Sequence, residues 1–380
     1  LQLPPVLIHT YNVPAACKRQ PPEEYCLSEI ASTFKVAYHR DKMEAYLRGE
    51  RIYPACLELD LTAACNRNCK QCPSSGSLAL HLLDLDLVDR LFAELEGQTH
   101  GLLLTGGEPT MATIFGSALA KARARGFHEI AVVTNGSFLD RPAVINALLA
   151  YVSAVRVSLY DWTGRSSAGA EPTFRRVEGL RRRIEQEGSA LQIGISALTT
   201  AENASGLAAI AGRAADAGAH WIYLHPTCVH WDIGAPTRVS QEGVVEMIET
   251  LQRSARNDFR VLTCADRYVE NNVEFHGYHA AHFLLVVGAD GINYLGAEVK
   301  YQPRFALSDL TASWRPGFLW DEKRLAGIRE IESSSYPPLG SRHRGVLYSD
   351  LLEDLIAGRR SSDQFAWAAE EDAFLYPHIL

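Results

Sequence analysis

Three cysteines stand close together in CNRNCKQC, at Cys65, Cys69 and Cys72, and no fourth follows nearby. Thiols at this spacing are metal ligands, and two kinds of metal centre suit them. A structural zinc needs four closed ligands, so a Cys-x3-Cys-x2-Cys run would have to borrow His81 or a distant cysteine. A cubane iron–sulfur cluster needs only these three thiolates if its fourth iron is left to a ligand that is not protein. The next stretch with chemical content is LLLTGGEPT, which ends in Gly106, Gly107, Glu108 and Pro109. Two glycines let a backbone approach a ligand closely, and a carboxylate can take an ammonium group. Taken alone, a Gly-Gly pair after a strand is an ordinary turn.

The elements that must position these residues follow a repeated pattern. From residue 57 onward, short β-rich runs alternate with amphipathic stretches: CLELDLT, GLLLTGG, IAVVTNG, AVRVSLYD, LQIGISAL and WIYLHP. Between them, sets such as Leu87, Val88, Leu91, Phe92 and Leu95, or Leu207, Ile210, Ala211 and Ala214, keep one helix face apolar. Six βα units in series predict an α/β fold with a parallel sheet. Six is short of the eight that close a full barrel, so a partial (β/α)6 TIM-like barrel is expected, with function at the C-terminal strand ends. Periodicity by itself does not separate this from a doubly wound sheet. Both motifs follow a strand and therefore share one mouth.

In this order and at this separation, the two motifs resemble the radical S-adenosylmethionine (SAM) superfamily. Its hallmarks are Cys-x3-Cys-x2-Cys after the first strand and Gly-Gly-Glu-Pro after the second. The resemblance covers residues 57 to 235 and implies one 4Fe-4S cluster ligated by Cys65, Cys69 and Cys72. It also implies SAM on the fourth iron, an external one-electron reductant such as flavodoxin or ferredoxin, and a 5'-deoxyadenosyl radical that abstracts hydrogen from substrate. Carried over by position, Gly106, Gly107 and Glu108 face the methionyl amine. Asn135 in TNG, Ser158 at the end of the fourth run and Asn203 after the fifth stand where the family contacts ribose or carboxylate, although each is equally a turn or helix cap. Leu224 marks where backbone commonly meets adenine. Gln71 departs from the pattern, because the family usually has an aromatic or apolar residue before the third cysteine.

The whole chain sets the outer bounds. Its 380 residues, 47% hydrophobic and 22% charged, can bury one large core and a smaller appendage. A diffuse net charge of -8 argues against a nucleic-acid partner, and FRRVEGLRRR at 174 to 183 reads as a solvated helix face. No run reaches the roughly 18 apolar residues of a membrane span, and the first residues do not read as a secretory signal, so a cytoplasmic protein with no membrane partner is expected. Eight cysteines in a chain this long do not form a disulfide framework. Three units are expected: an N-terminal extension, 1 to 56; the barrel, 57 to 264; and a C-terminal α+β appendage with tail, 265 to 380. In the last, HFLLVVGADGINYLG predicts a hairpin around Asp290-Gly291, two helices follow, and the aromatic-rich tail from 361 either docks or frays. This region resembles the SPASM/twitch appendage of many radical SAM enzymes, but Gly296 and Ser333, Ser334 and Ser335 stand where such appendages carry cysteines. It therefore reads as degenerate, leaving one cluster in the protein.

An auxiliary cluster would accept the electron of an oxidised substrate radical. Without one, the redox-neutral outcomes gain weight, namely elimination of water, decarboxylation or epimerisation, and among all outcomes a lyase-type dehydratase or decarboxylase is favoured over an epimerase or dehydrogenase. Candidate substrate residues are Tyr160 and Asp161 after the fourth run and His225, Cys228, His230, Trp231 and Asp232 after the sixth, with Glu298 and Lys300 reaching in from the appendage. Polar and aromatic side chains at strand ends suit a small sugar-like or aminocyclitol natural-product intermediate, and His, Tyr and Asp can move protons during elimination. The layout and the loop HPTCVHWDIGAP resemble antibiotic-tailoring members of the superfamily. Cys228 could return hydrogen to a carbon radical, as an epimerase requires. The short segment before Cys65 leaves little room for a leader-binding or cobalamin module, which favours a small molecule over the alternative of a peptide-modifying maturase. Outside enzymology, the alternative is a zinc-stabilised binding protein.

Overall fold

The strand β1 (Cys56–Asp60), from which the thiol loop departs, is buried at all five positions. The computed structural model describes residues 32, 34–69, 72, 81–160, 169–227, 240–256, 258–264, 267–268, 275–336, 344–370 and 373–380, with backbone alone at 229–230, 237–238 and 265–266. Beside β1 follow β2 (Gly101–Thr105), β3 (Glu129–Thr134), β4 (Ala154–Ser158), β5 (Gln192–Thr199) and β6 (Trp221–Pro226), each paired in parallel with the strand before it. These are the six runs expected from the sequence, in a partial TIM-like α/β sheet.

Among the described residues the sheet nonetheless holds ten strands. Arg260–Leu262 adds in parallel beside β6, and Leu284–Val287 adds in parallel on the free side of β1. Ile292–Tyr294 and Ala306–Asp309 then extend that edge antiparallel. The hairpin around Asp290-Gly291 forms where the turn pair predicts it, with Gly291 at φ +74°. Its first strand continues the barrel sheet, so the sheet runs unbroken across residue 265.

Strand parity decides which residues meet the site. Leu57 and Leu59 face the helix layer, packing in one core with Leu87, Val88, Leu91, Phe92 and Leu95 of the helix Leu85–Leu95. Asp84 caps that helix by accepting from the Asp86 amide, which satisfies one of its free first-turn donors. Glu58, between the two leucines, faces the barrel interior, and so do Leu103, Thr105, Arg156, Tyr223 and His225 of the following strands. The basic run at 174 to 183 lies on the helix Glu171–Glu187, whose apolar face buries Phe174, Val177 and Leu180 while Arg176, Arg181 and Arg183 pair with acidic neighbours outside.

The far end of the barrel is closed by the chain's last residues. His378 N donates to Glu129 Oε2 at 2.9 Å, and a Cβ on Gly101 would fall 1.9 Å from the His378 carbonyl oxygen. Lys35, fully buried, donates from Nζ to the carbonyls of Tyr376 and Ile379, both at 2.9 Å. The aromatic-rich tail therefore docks. It lies beneath the starts of β2 and β3, opposite the thiols. Among the described residues no helix is long and apolar enough to cross a membrane.

Candidate active site

The loop after β1 folds back against the loop after β2. Gly107 N donates to the Thr62 carbonyl and Glu108 N to the Ala64 carbonyl, each at 2.8 Å. A Cβ on Gly106, whose φ is +119°, would lie 2.5 Å from the Thr62 oxygen, and one on Gly107 would lie 2.2 Å from the Ala64 oxygen. Both glycines are required by this contact between the loops, before any ligand is considered. Cys65, Cys69 and Cys72 border the same cavity as the two glycines. Arg67 N donates to Cys65 Sγ at 3.4 Å, Asn135 Nδ2 stands 3.7 Å from the same sulfur, and Cys72 N bonds the Cys69 carbonyl at 3.0 Å.

The donor set fits a cluster with one open corner. Three sulfurs border one mouth, N–H donors address one of them, and a Gly-Gly cradle without Cβ atoms lies alongside. Among the described residues no three His, Cys, Asp or Glu side chains, these thiols included, are gathered as ligands of a metal ion. His81, one of the two kinds of ligand that a zinc site could borrow, is exposed and does not border the cavity.

The other predicted cofactor residues divide. Asn135 and Ser158 border the cavity with Gly106 and Gly107. Glu108 does not, and its carboxylate is fully buried. Its Oε1 accepts from Thr110 N at 3.2 Å, Thr110 Oγ1 at 2.5 Å and Thr134 Oγ1 at 2.7 Å, and its Oε2 accepts from Asn135 N at 2.7 Å. Glu108 thus ties β2 to β3, with spare acceptor capacity only at Oε2. Asn203 lies outside the cavity lining and serves as a turn residue: its Oδ1 accepts from Thr200 N and its Nδ2 donates to the Leu198 carbonyl, both at 2.9 Å. The Leu224 side chain faces the helix layer, and its carbonyl accepts from Thr263 Oγ1 at 2.8 Å.

Of the expected substrate residues, Tyr160, His225, Glu298 and Lys300 border a cavity of about 380 Å³. Asp161, Cys228, Trp231 and Asp232 lie outside the described residues, and His230 is described in backbone only, where Val229–His230 pairs with Thr237–Arg238. His225 stacks on Tyr223 with ring centroids 5.0 Å apart, and its Nε2 is 2.9 Å from Ser196 Oγ. Burial, then the charges of Arg267, Arg156 and Arg344, push its pKa well below the usual histidine value, so it is neutral at pH 7. Lys300 Nζ donates to Glu58 Oε1 at 2.9 Å and Asp60 Oδ1 at 2.7 Å. Burial opposes its charge, but the two carboxylates outweigh burial and raise its pKa. Glu298 Oε1 accepts from the hydroxyls of Tyr278 at 2.8 Å and Tyr336 at 2.5 Å.

Four arginines border this cavity, Arg67, Arg156, Arg267 and Arg344, and none was anticipated. For Arg156 a signal was present: a charged residue in the middle of the apolar run AVRVS must face the interior when its neighbours Val155 and Val157 face the helices.

Residues 59–163 match the family model described as the Radical SAM superfamily. In this stretch the chain resembles a radical SAM domain. The stretch runs from β1 through both motif loops to just beyond β4, and so contains every residue of the thiol and Gly-Gly contacts. No curated protein matches the chain. Among solved structures, SuiB of Streptococcus suis bound to S-adenosylmethionine is similar, with 15% identity, 77% of this chain and 72% of that chain covered, and a TM-score of 0.58. SuiB bound to the precursor peptide SuiA matches at 15% identity over 82% of this chain and 74% of that one, with a TM-score of 0.56. Native anSMEcpe with bound AdoMet and Cp18Cys peptide matches at 13% identity over 81% and 98%, with a TM-score of 0.52. At these identities the likeness is one of fold. It extends beyond the radical SAM domain into the C-terminal region.

Proposed function

We propose that this chain is a cytoplasmic radical SAM enzyme acting on a small, sugar-like or aminocyclitol natural-product intermediate, with loss of water or carbon dioxide as the outcome. The observation that carries the reading is the cavity at the strand ends, bordered on one side by the three thiols and on another by the charged side chains of Glu298, Lys300 and Arg344 of the C-terminal region. A 4Fe-4S cluster on Cys65, Cys69 and Cys72, with SAM bound and an external flavodoxin- or ferredoxin-type reductant, would supply a 5'-deoxyadenosyl radical. The chain's own residues bind and orient. Glu108, buried behind the Gly-Gly loop, holds Asn135 N in place, and Asn135 and Ser158 present polar atoms along the wall. His225, neutral and addressed by Ser196, can accept a proton from a substrate hydroxyl, and Glu298 is fixed for similar work by two phenols.

A redox-neutral outcome is supported by the packing at Gly296. A Cβ there would lie 2.6 Å from Tyr278 Oη and 2.7 Å from Tyr336 Oη, so a cysteine at that position would have to displace two buried tyrosines that Glu298 holds.

The test is anaerobic reconstitution with iron and sulfide, followed by SAM, dithionite and deuterated sugars or aminocyclitols. 5'-Deoxyadenosine should form and carry deuterium from one position of the substrate. Absence of 5'-deoxyadenosine overturns the class, and label transfer from peptides alone overturns the substrate. Cys228→Ala should leave product formation intact. Loss of product with continued SAM cleavage would make the reaction an epimerisation instead.

A further inference from the structure

The interior charges of the cavity do not cancel in an obvious way. Lys300 has two carboxylates, Glu58 and Asp60, and Glu298 has two tyrosine hydroxyls. Arg267 donates to Tyr223 Oη at 3.0 Å. Arg156 and Arg344 form no ion pair among the described residues, and Arg156 Nε is buried with no hydrogen-bond partner there. A guanidinium whose Nε is buried without an acceptor carries a cost, which is relieved if a ligand brings the acceptor.

The position of Arg344 adds a second donor array. It opens the helix Arg344–Ile356, and Gly345 in the same first turn also borders the cavity. The first amides of a helix have no partner within it, and the helix dipole makes that end positive. Glycine is what allows the approach at this point, since a Cβ on Gly345 would fall 1.8 Å from Tyr278 Oη.

We infer that the cavity is built to hold an anionic group of the substrate, a carboxylate or a phosphate, between Arg156, Arg344 and the amino end of the helix Arg344–Ile356. This deepens the proposed function and rests on it for the word substrate. The carboxylate of SAM is a different ligand of the same chemistry, and depth separates the two. Arg156 lies one inward position below Ser158 on β4, about 7 Å further from the mouth. Two guanidiniums and a helix terminus suit the paired oxygens of such a group better than a lone hydroxyl.

The experiment uses the full chain, anaerobically reconstituted and saturated with SAM, and measures binding of glucose 6-phosphate, glucuronate and glucose by calorimetry. At least one of the two anions should bind with glucose at least tenfold weaker, and the tighter anion identifies the group. Arg156→Gln should weaken that anion at least tenfold and leave the dissociation constant for SAM within a factor of two. Arg344→Gln should do the same and serves as the second variant if Arg156→Gln does not fold. Equal binding of glucose and both anions overturns the inference. So does a loss of SAM affinity in either variant with anion binding retained, which would assign the arginines to SAM. The assay needs no turnover, so failure of the radical reading would show separately, as wild-type protein that makes no 5'-deoxyadenosine.

Discussion

Lys300 and Asp60 meet at 2.7 Å across 240 positions of sequence, and with Glu58 they form a charged cluster whose side chains are at most 8% exposed. Removing the ammonium alone strands two buried carboxylates. Lys300→Met should therefore cost about 3–5 kcal/mol, read by urea denaturation. Adding Asp60→Asn and Glu58→Gln should recover part of the loss. An equal or larger loss in the triple variant would mean that packing of the lysine stem, not charge, carries the effect.

Gly107→Ala places a methyl group 2.2 Å from the Ala64 carbonyl and 2.4 Å from that of Ala63, both backbone atoms. The thiol loop must give way. The variant should keep its far-ultraviolet circular dichroism but bind less than half the iron of the wild type after reconstitution. Full iron loading would show that the loop tolerates the shift.

Thr134 Oγ1 donates to Glu108 at 2.7 Å and also accepts from Gly136 N at 3.0 Å. Thr134→Val conserves shape and removes a bond to a buried carboxylate, which costs about 1–3 kcal/mol. The affinity for SAM should fall with it, because the same carboxylate is tied to Asn135 N beside the thiols. Lost stability with unchanged SAM binding would confine Glu108 to a structural part.

Acid should destabilise the fold before carboxylates titrate. Burial, then the neighbouring His378, lowers the pKa of His39 to about 3, and burial lowers that of His282 to about 3 as well. Below about pH 6.5 the unfolded chain takes up protons that the folded chain does not, so stability falls with pH, by up to roughly 1.4 kcal/mol per unit for a fully buried histidine. Denaturation between pH 7.5 and 5.0 should show this slope, and His39→Gln should flatten it. A slope unchanged in that variant would place its origin elsewhere.

Much of the frame was legible in the sequence because it is local. Six strand runs, the apolar faces of Leu85–Leu95 and Leu207–Asp216, and the Asp290-Gly291 hairpin all follow from period and turn chemistry. Two further segments have strand character in the sequence, but Arg260–Leu262 and Leu284–Val287 choose β6 and β1 as parallel neighbours through tertiary packing that no local pattern records. The thiol and Gly-Gly motifs were visible, but not that the glycines serve first to bring their two loops together. Asn203 has the residue type of a ligand contact, and its amide is spent within its own turn. The pairing of Lys300 with Glu58 and Asp60 joins distant segments, so only the fold reveals it. Arg156 was readable from strand parity and passed over.

The docked tail makes the order of assembly matter. Residues 374–380 follow every described strand of the sheet, yet Leu380 is wholly buried and His378 meets the first residues of β2 and β3. During synthesis the barrel base stays open to water until these residues emerge, so the six central strands must hold their register without the stopper that later seals them.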